Sequence, residues 1–348
     1  MPKKKGGKKK GPAIDLDQEG NDPAVVVKNY QFMCKHIGLE PNKKVVAAIA
    51  PGEAEDPPPP GQITVDNEEG FLYAKHTRAL TCALLGAGAP ELKGGQFRQL
   101  KTLRIWRCAI GDDGAVCVAE LIKLGGGAAP MALSYVDLMD NRIGPRGCAA
   151  LGAALDCMGE PGPSKVVTLN LANNEMIGDE GCEALCLGLR SNTVLKQLHL
   201  PFCAIGAAGA RAIAQAICMP MGKVTHLMLT GNRLGAEGLR HLSDGVRRSK
   251  ALVSLDVSDN RISGEVEHLA HFAHALTVNK TLTSVLMHYN HIGIEGASVL
   301  QPALTKENTQ ITTFFVDSTL PTEIFETIYR AGGGGKGGKK GKKGKKKK

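Results

Sequence analysis

Three features of this 348-residue chain have the residue types and spacing that chemistry uses. His268, His271 and His274 recur every three residues beside Glu265 and Glu267. Imidazoles at that spacing share a helix face and can share a metal ion. A closed site also needs a fourth ligand and groups that orient the imidazoles. The favoured expectation is therefore a solvated helix face and no metal. Cys182 and Cys186, four apart, also meet on a helix. Free Cys is among the most buried residue types, so core packing is expected there. The third feature is the Gly-rich C-terminal stretch, which looks like a phosphate loop but lacks both a preceding strand and a following helix. HExxH, GxSxG and GxxxxGK[ST] do not occur, so zinc-protease, serine-hydrolase and P-loop chemistry lack their residues. The chain is expected to be non-enzymatic, with no cofactor.

The elements that position these residues form one repeating unit. Residues 133–155 read LSYVDLMDNRIGPRGCAALGAAL. Val136 and Leu138 alternate with Tyr135, Asp137 and Met139, as in a strand. Leu151 and Leu155 are four apart with Ala between, as in a helix. Positions equivalent to Val136 are Leu103, Leu169, Leu198, Leu227, Leu255, Val285 and, more weakly, Phe314. Five residues after the Val136 position come Cys108, Asn141, Asn174, Cys203, Asn232, Asn260 and Asn290. An Ile-Gly or Leu-Gly pair then follows in most units, with a second Gly three residues on.

A strand turning into a helix cannot bury its apolar face alone, so stacked neighbours must supply the core. The Asn position leaves the strand where the chain turns, and its amide can satisfy backbone groups of adjacent coils. Glu175 and Met176 follow Asn174 with one extra residue before Ile177, so that turn should bulge. The unit of Asn260 has no second Gly, so its helix should start differently. The last unit lacks the Asn and the Gly pair and reads as a closing cap.

Four regions are expected. Residues 1–23 form a basic, disordered tail. Residues 24–69 hold a short helical segment and a Pro-rich linker around residues 57–60. Residues 70–331 form the solenoid with its caps, in which the apolar pattern from Gly70 to Leu85 covers the first repeat. Residues 332–348 form a second Lys/Gly tail.

Strand alternation points a second set of residues to the inner surface. Arg104, Trp106, Arg107, Tyr135 and Met139 cluster at one end, His199, Phe202 and Met228 lie centrally, and His288 and Tyr289 lie at the other end. Asp137, Asn170, His226, Asp256, Leu286 and Phe315 share that face by the same alternation. Trp106 is the only Trp, flanked by two Arg, which is the composition of an interface anchor. These ten clustered residues are the candidate protein-binding set. An inner surface of eight strands is about 34 Å long, which suits a protein segment.

Composition narrows the setting. Apolar residues are 43% and aromatics 4%, so the core is built of aliphatics, Ala and Cys. No apolar run reaches a membrane-spanning length. The N-terminal MPKKKGGKKKGP has no apolar segment behind its charges and is not expected to act as a secretory signal. Ten Cys are then expected as reduced thiols, and the sequon Asn279-Lys280-Thr281 as unused. The net charge of +9 resides in the tails, which hold 15 of the 43 basic residues and leave 28 against 34 acidic ones. Clustered Lys binds polyanions with strong salt dependence. Acidic surfaces such as tubulin are expected partners. Nucleic acid is expected only nonspecifically, since the tails have no aromatic residue.

The repeat pattern over residues 70–330 resembles the ribonuclease-inhibitor-like class of leucine-rich repeats. That resemblance implies an α/β solenoid of about seven full repeats, with parallel strands on the concave side and helices on the convex side. Lys-rich ends, a Tyr30-to-Cys34 helix and a Pro-rich spacer before the repeats resemble leucine-rich-repeat proteins of cilia and flagella. The layout implies a cytoplasmic, cytoskeletal scaffold of the axoneme, docking proteins through its concave face and flanks. Two alternatives stand beside it. One is a Ran-type GTPase activator using an arginine such as Arg107, Arg142 or Arg233, although the acidic tail of that class is replaced here by a basic one. The other is an RNA-associated protein held by its tails.

Overall fold

The structure, a computed structural model, describes residues 21–50, 59–66, 72–126, 130–158, 164–305 and 309–332. Both Lys runs, and Pro57 and Pro58 of the proline spacer, lie outside the described residues. Helices α1 (Pro23–His36) and α2 (Lys43–Ile49) come first. Eight strand–helix coils follow. Coil 1 is β1 (Gln62–Asp66) with α3 (Tyr73–Leu85), and coil 2 is β2 (Thr102–Trp106) with α4 (Gly111–Leu124). Coil 3 is β3 (Tyr135–Asp137) with α5 (Pro145–Leu155), and coil 4 is β4 (Thr168–Asn170) with α6 (Gly178–Leu189). Coil 5 is β5 (Gln197–His199) with α7 (Ala207–Ile217), and coil 6 is β6 (His226–Met228) with α8 (Gly235–Arg248). Coil 7 is β7 (Ser254–Asp256) with α9 (Val266–Val278), and coil 8 is β8 (Ser284–Leu286) with α10 (Gly293–Leu300). The chain closes with β9 (Thr313–Phe315), α11 (Thr322–Ile328) and β10 (Arg330–Ala331).

The ten strands among the described residues make one sheet in chain order. The first nine pair in parallel, and β10 returns antiparallel on β9. Leu103, Val136, Leu169, Leu198, Leu227, Leu255, Val285 and Phe314 pair each with the next without a slip. Packed helices need roughly 8–10 Å each and paired strands about 4.8 Å. Stacking one helix per strand therefore curves the sheet to the inside. No helix of the described residues is long and apolar enough to cross a membrane.

The 24–69 linker is where the sequence expectation is corrected. Gln62–Asp66 is a strand paired along its whole length with β2, and Ile63 and Val65 are buried. Helix α3 is accordingly the outer helix of coil 1 rather than the cap. The cap is α1, whose Tyr30, Met33 and Cys34 join the same continuous core as Leu103. Two apolar residues make a weak strand signal, and the 40 residues from Ile63 to Leu103 exceed the interval of every later coil, which hid the repeat.

The Ile-Gly and Leu-Gly turns do two different jobs. In the even coils Gly111, Gly178, Gly235 and Gly293 are left-handed, with φ from 53° to 61°. In coils 3 and 5, Gly144 and Gly206 are extended at φ −120° and −104°, and no side chain of their own turn caps the helix. A carboxylate of the preceding coil does so instead. Asp112 Oδ1 accepts from the amides of Gly144 (2.7 Å) and Gly147 (2.9 Å), and Asp179 Oδ1 from those of Gly206 (2.7 Å) and Gly209 (2.9 Å). An anion at a helix N-terminus also complements the helix dipole. Coil 6 has Ala236 at this position, and the helix of coil 7 starts late, after an extended Glu265.

The expected Asn ladder is present and carries the same alternation. Asn174 donates to the carbonyls of Leu138 (3.1 Å) and Leu171 (2.8 Å) and accepts from the amides of Asn141 (2.9 Å) and Ile143 (3.0 Å). Asn232 and Asn290 likewise accept from two amides of the preceding coil. Cys203 substitutes its thiol, which donates to Leu171 and Pro201 carbonyls, and burial pushes it up to about 12. Asp317 ends the ladder by accepting from the Asn290 amide (3.1 Å), a role the sequence pattern did not reveal. The residue before each ladder position is left-handed in coils 2 to 8: Arg107, Asp140, Asn173, Phe202, Gly231, Asp259 and Tyr289. Only one of these is Gly, so the ladder holds six others in a conformation that costs L-residues about 1 kcal/mol each.

Other expectations follow the local packing. Met176, in the turn with the extra residue, is 64% exposed while Ile177 is buried. All ten Cys are free thiols, seven of them buried. The Asn279 side chain is buried, donates to Val246 (2.7 Å) and Ser249 (3.0 Å) carbonyls, and accepts from the Leu282 amide (2.7 Å). Glycosylation there would break that connector.

Candidate functional site

The inner face is a set of rows running across the coils. One row, by register, is Thr64, Arg104, Asp137, Asn170, His199, Met228, Asp256, Leu286 and Phe315. Three of these turn back on their own strand ends. Asp137 Oδ1 accepts from the Met139 amide (3.2 Å), Asn170 Oδ1 from Ala172 (3.0 Å) and Asp256 Oδ1 from Ser258 (2.9 Å). These short polar side chains end the strands in the manner of Asx turns. Asp137 and Asp256 are consequently buried, although alternation alone points them outward.

Arg104 does the opposite and lies over its neighbours. Its guanidinium is 5.7 Å from the Trp106 ring centroid and 5.0 Å from that of Tyr135 on the next coil. Stacking of this kind fixes a planar cation at low conformational cost. Tyr135 is half-buried and its hydroxyl faces Asp137, and desolvation pushes its pKa above the ordinary phenol value. Met139 extends the patch beside Arg107, whose amide donates to the Met139 carbonyl (3.1 Å). Arg104 Nε and Trp106 Nε1 are buried donors without a partner. A buried unsatisfied N–H costs roughly 1–3 kcal/mol.

Arg107 takes a different role from its neighbours. Its guanidinium binds Asp66 of β1 twice, Nε to Oδ1 at 3.0 Å and Nη2 to Oδ2 at 2.5 Å. Asp66 belongs to the strand absent from the repeat pattern, so this pairing was not legible. The remaining candidates lie elsewhere. Phe202 (44% exposed) and Tyr289 (74%) occupy left-handed turn positions on the strand-to-helix rim. His199 and Met228 are adjacent across β5 and β6. His288 meets Phe315 at a tilt of 51° (5.2 Å), Phe315 stacks on Tyr329 (5.3 Å), and Tyr329 stacks on Phe325 (4.6 Å). Tyr329 and Phe325 went unnoticed because the antiparallel return of β10 brings them there. The structure thus resolves one candidate set into an N-terminal patch and a C-terminal aromatic stack, about six strand spacings or 29 Å apart.

Burial lowers the His199 imidazole below its ordinary 6.5, against the pull of Asp137. The unfolded chain then binds a proton that the folded one resists, so folding stability falls as pH drops through 6.5. Thermal unfolding at pH 7.5 and 5.5 should show a drop that His199→Asn reduces.

Among the described residues no three His, Cys, Asp or Glu side chains are grouped to hold a metal. His268 pairs with Glu265 at 2.8 Å, and His271 and His274 are exposed. Cys182 is fully buried with its thiol against Cys186, which raises it well above the ordinary thiol range. Buried neutral thiols are poor nucleophiles and poor ligands.

A parallel sheet inside, helices outside and an Asn ladder between coils define a leucine-rich-repeat solenoid. The leucine-rich-repeat family model matches residues 98–119, 131–152, 163–186, 191–214 and 223–243. Ribonuclease inhibitors of Sus scrofa and Mus musculus are each 28% identical over 165 and 168 residues, covering 47% and 48% of this chain. The chain spans 34% of the length of each of them. NACHT, LRR and PYD domains-containing protein 12 of Mus musculus is 25% identical over 320 residues, 78% of this chain and 30% of that protein. Among solved structures, a chain of the yeast Rad7 and Elc1 complex superposes with a TM-score of 0.33 at 12% identity, over 75% of this chain and 70% of that one. The chain carries leucine-rich repeats and is similar in sequence to ribonuclease inhibitors. Proteins of this repeat class serve as protein-interaction scaffolds.

Proposed function

We propose that this chain is a non-enzymatic scaffold whose inner face docks a protein segment at the Arg104–Trp106–Tyr135 patch. The observation that carries this reading is the Arg104 guanidinium held on the inner face over the rings of Trp106 and of Tyr135 on the next coil. A partner carboxylate or carbonyl would pair with that guanidinium, and Met139 beside it offers an apolar contact. The central and C-terminal candidates, His199, Phe202, Met228, His288 and Tyr289, extend the contact along the face. The relatives named ribonuclease inhibitors act on another protein, which agrees with a docking role. For the setting, the Lys-rich ends and Pro-rich spacer favour the ciliary or flagellar axoneme, with the tails on an acidic surface such as a microtubule.

Two experiments test this. A photo-crosslinking residue at Met139 should capture a discrete protein partner in ciliated cells. Trp106→Ala should weaken that capture by a hot-spot amount, about 2 kcal/mol or thirtyfold. Capture equal in both proteins would remove the patch from the function. Microtubule co-sedimentation of the full chain, with the 15 tail lysines intact or changed to Ser, tests the tails. Equal binding at low salt would sink the tethering role, and a nuclear rather than ciliary location would sink the axonemal setting.

A further inference from the structure

The charge of the solenoid is divided between its two edges. The strand-to-helix edge holds the first helical turns, where Asp112, Asp113, Glu180, Glu237, Glu267 and Glu295 lie. The helix-to-strand edge is basic. From α4 to β8 five of the six connectors carry an exposed Lys, namely Lys165, Lys196, Lys223, Lys250 and Lys280, and exposed Lys123 and Arg248 stand in the last turns of α4 and α8. Asp156 is the one described acid in those connectors. Its Oδ1 accepts from the Ser191 hydroxyl (2.5 Å) and the Met158 amide (2.9 Å), so one carboxylate oxygen is already engaged by the chain itself.

Helix dipoles account for part of this division, because cations are favoured in a last helical turn. That account covers Lys123 and Arg248, which occupy last turns. It leaves out Lys165, Lys196 and Lys223, which lie past the helices on the approach to the next strand and make no ion pair among the described residues. Apolar side chains lie between the cations on the same edge: Leu124 (54% exposed), Met158 (85%), Met219 (37%) and Met221 (62%).

We propose that this edge is a second docking surface, for an acidic amphipathic polypeptide segment. The cations recur once per coil, and their sign selects a partner of opposite charge. The interleaved Met and Leu side chains select a partner with apolar side chains between its carboxylates, a pairing that flexible Met surfaces serve well. A nucleic acid fits less well. The exposed aromatic side chains that would stack bases, Tyr73, Phe202 and Tyr289, are in strand-to-helix turns or a helix start, on the other edge. The site needs neither the inner-face patch nor the tails, and it rests on the scaffold reading only in that its ligand is a polypeptide.

Fluorescence anisotropy with the full chain, its tail lysines changed to Ser, tests the surface. The probes are a Glu/Leu amphipathic helix of about 18 residues, long enough to cross five or six coils, an all-Glu peptide of equal charge, and oligouridine. The Glu/Leu peptide should bind best. The triple variant Lys165→Gln, Lys196→Gln, Lys223→Gln should weaken it about tenfold, and Met158→Ser with Met221→Ser should bring its affinity down to that of the all-Glu peptide. All five side chains are exposed, and unchanged thermal unfolding will show that each variant is folded. Unaltered binding by the triple variant overturns the proposal, as does tighter binding of oligouridine or equal binding of the all-Glu peptide to the unaltered edge. Trp106→Ala should leave this binding intact, so failure of the edge and failure of the inner-face patch are read separately.

Discussion

Asn174→Ala should lower the stability of the solenoid by about 3–5 kcal/mol and its Tm by about 10 °C. The side chain is fully buried and sits between coils 3 and 4. Its removal leaves the amides of Asn141 and Ile143 without an acceptor and the carbonyls of Leu138 and Leu171 without their donor. Each orphaned group costs roughly 1–3 kcal/mol, and a small cavity adds to that. Cys203→Ala is the internal control. It removes one weak thiol donor between the next two coils and should cost no more than about 2 kcal/mol. Urea unfolding of both variants gives the comparison. Equal losses would mean that the ladder contributes packing volume rather than hydrogen bonds.

Gly188→Ala should destabilise by about 2–4 kcal/mol, the opposite sign to helix propensity, by which Ala is favoured over a mid-helix Gly by about 1 kcal/mol. Gly188 lies in α6 where it crosses α5. A Cβ built there would stand 1.8 Å from the Gly152 carbonyl oxygen. The obstacle is backbone, so no side-chain rotation relieves it, and the two helices must separate. Because each helix is stacked on the next, the separation is carried into the ladder beneath. A stabilised Gly188→Ala variant in thermal unfolding would show that the two helices are not in register as described.

The parts of this fold that were legible in the sequence are those written in one residue type at a fixed interval. Val136 and its equivalents announced strands, register and count from coil 2 onward, because burial there demands an aliphatic and the interval barely changes. Asn141, Asn174, Asn232, Asn260 and Asn290 were legible for the same reason. Coil 1 was not, since Ile63 and Val65 stand 40 residues before the next repeat and their partners lie in β2. Two kinds of helix start share the spelling Ile-Gly, so the left-handed Gly111 and the extended Gly144 look alike until the backbone is seen. Asp112 and Asp179 read as ordinary first-turn acids, and nothing local shows that their partners are in the following coil. At the candidate site, alternation placed Trp106, Arg104 and Tyr135 on one face, but the stacked arrangement depends on three-dimensional side-chain directions. Alternation also pointed Asp137 and Asp256 outward, where their short carboxylates instead fold back to end the strand. The basic edge is spread over six coils, and no window of sequence contains it.

The carboxylates of Asp112 and Asp179 reach forward by one coil, from coil 2 to coil 3 and from coil 4 to coil 5, so the smallest self-consistent piece of coils 2 to 5 is a pair. Removing one coil would set an uncapped extended Gly after a coil that brings no carboxylate, or a carboxylate against a left-handed Gly that has no use for it. Removing two adjacent coils, such as coils 4 and 5, joins like to like. The length of such a chain can therefore change most easily in steps of about 62–67 residues, the distances from Gly144 to Gly206 and from Asp112 to Asp179. Gene shortening by coil pairs should yield folded proteins where shortening by single coils does not.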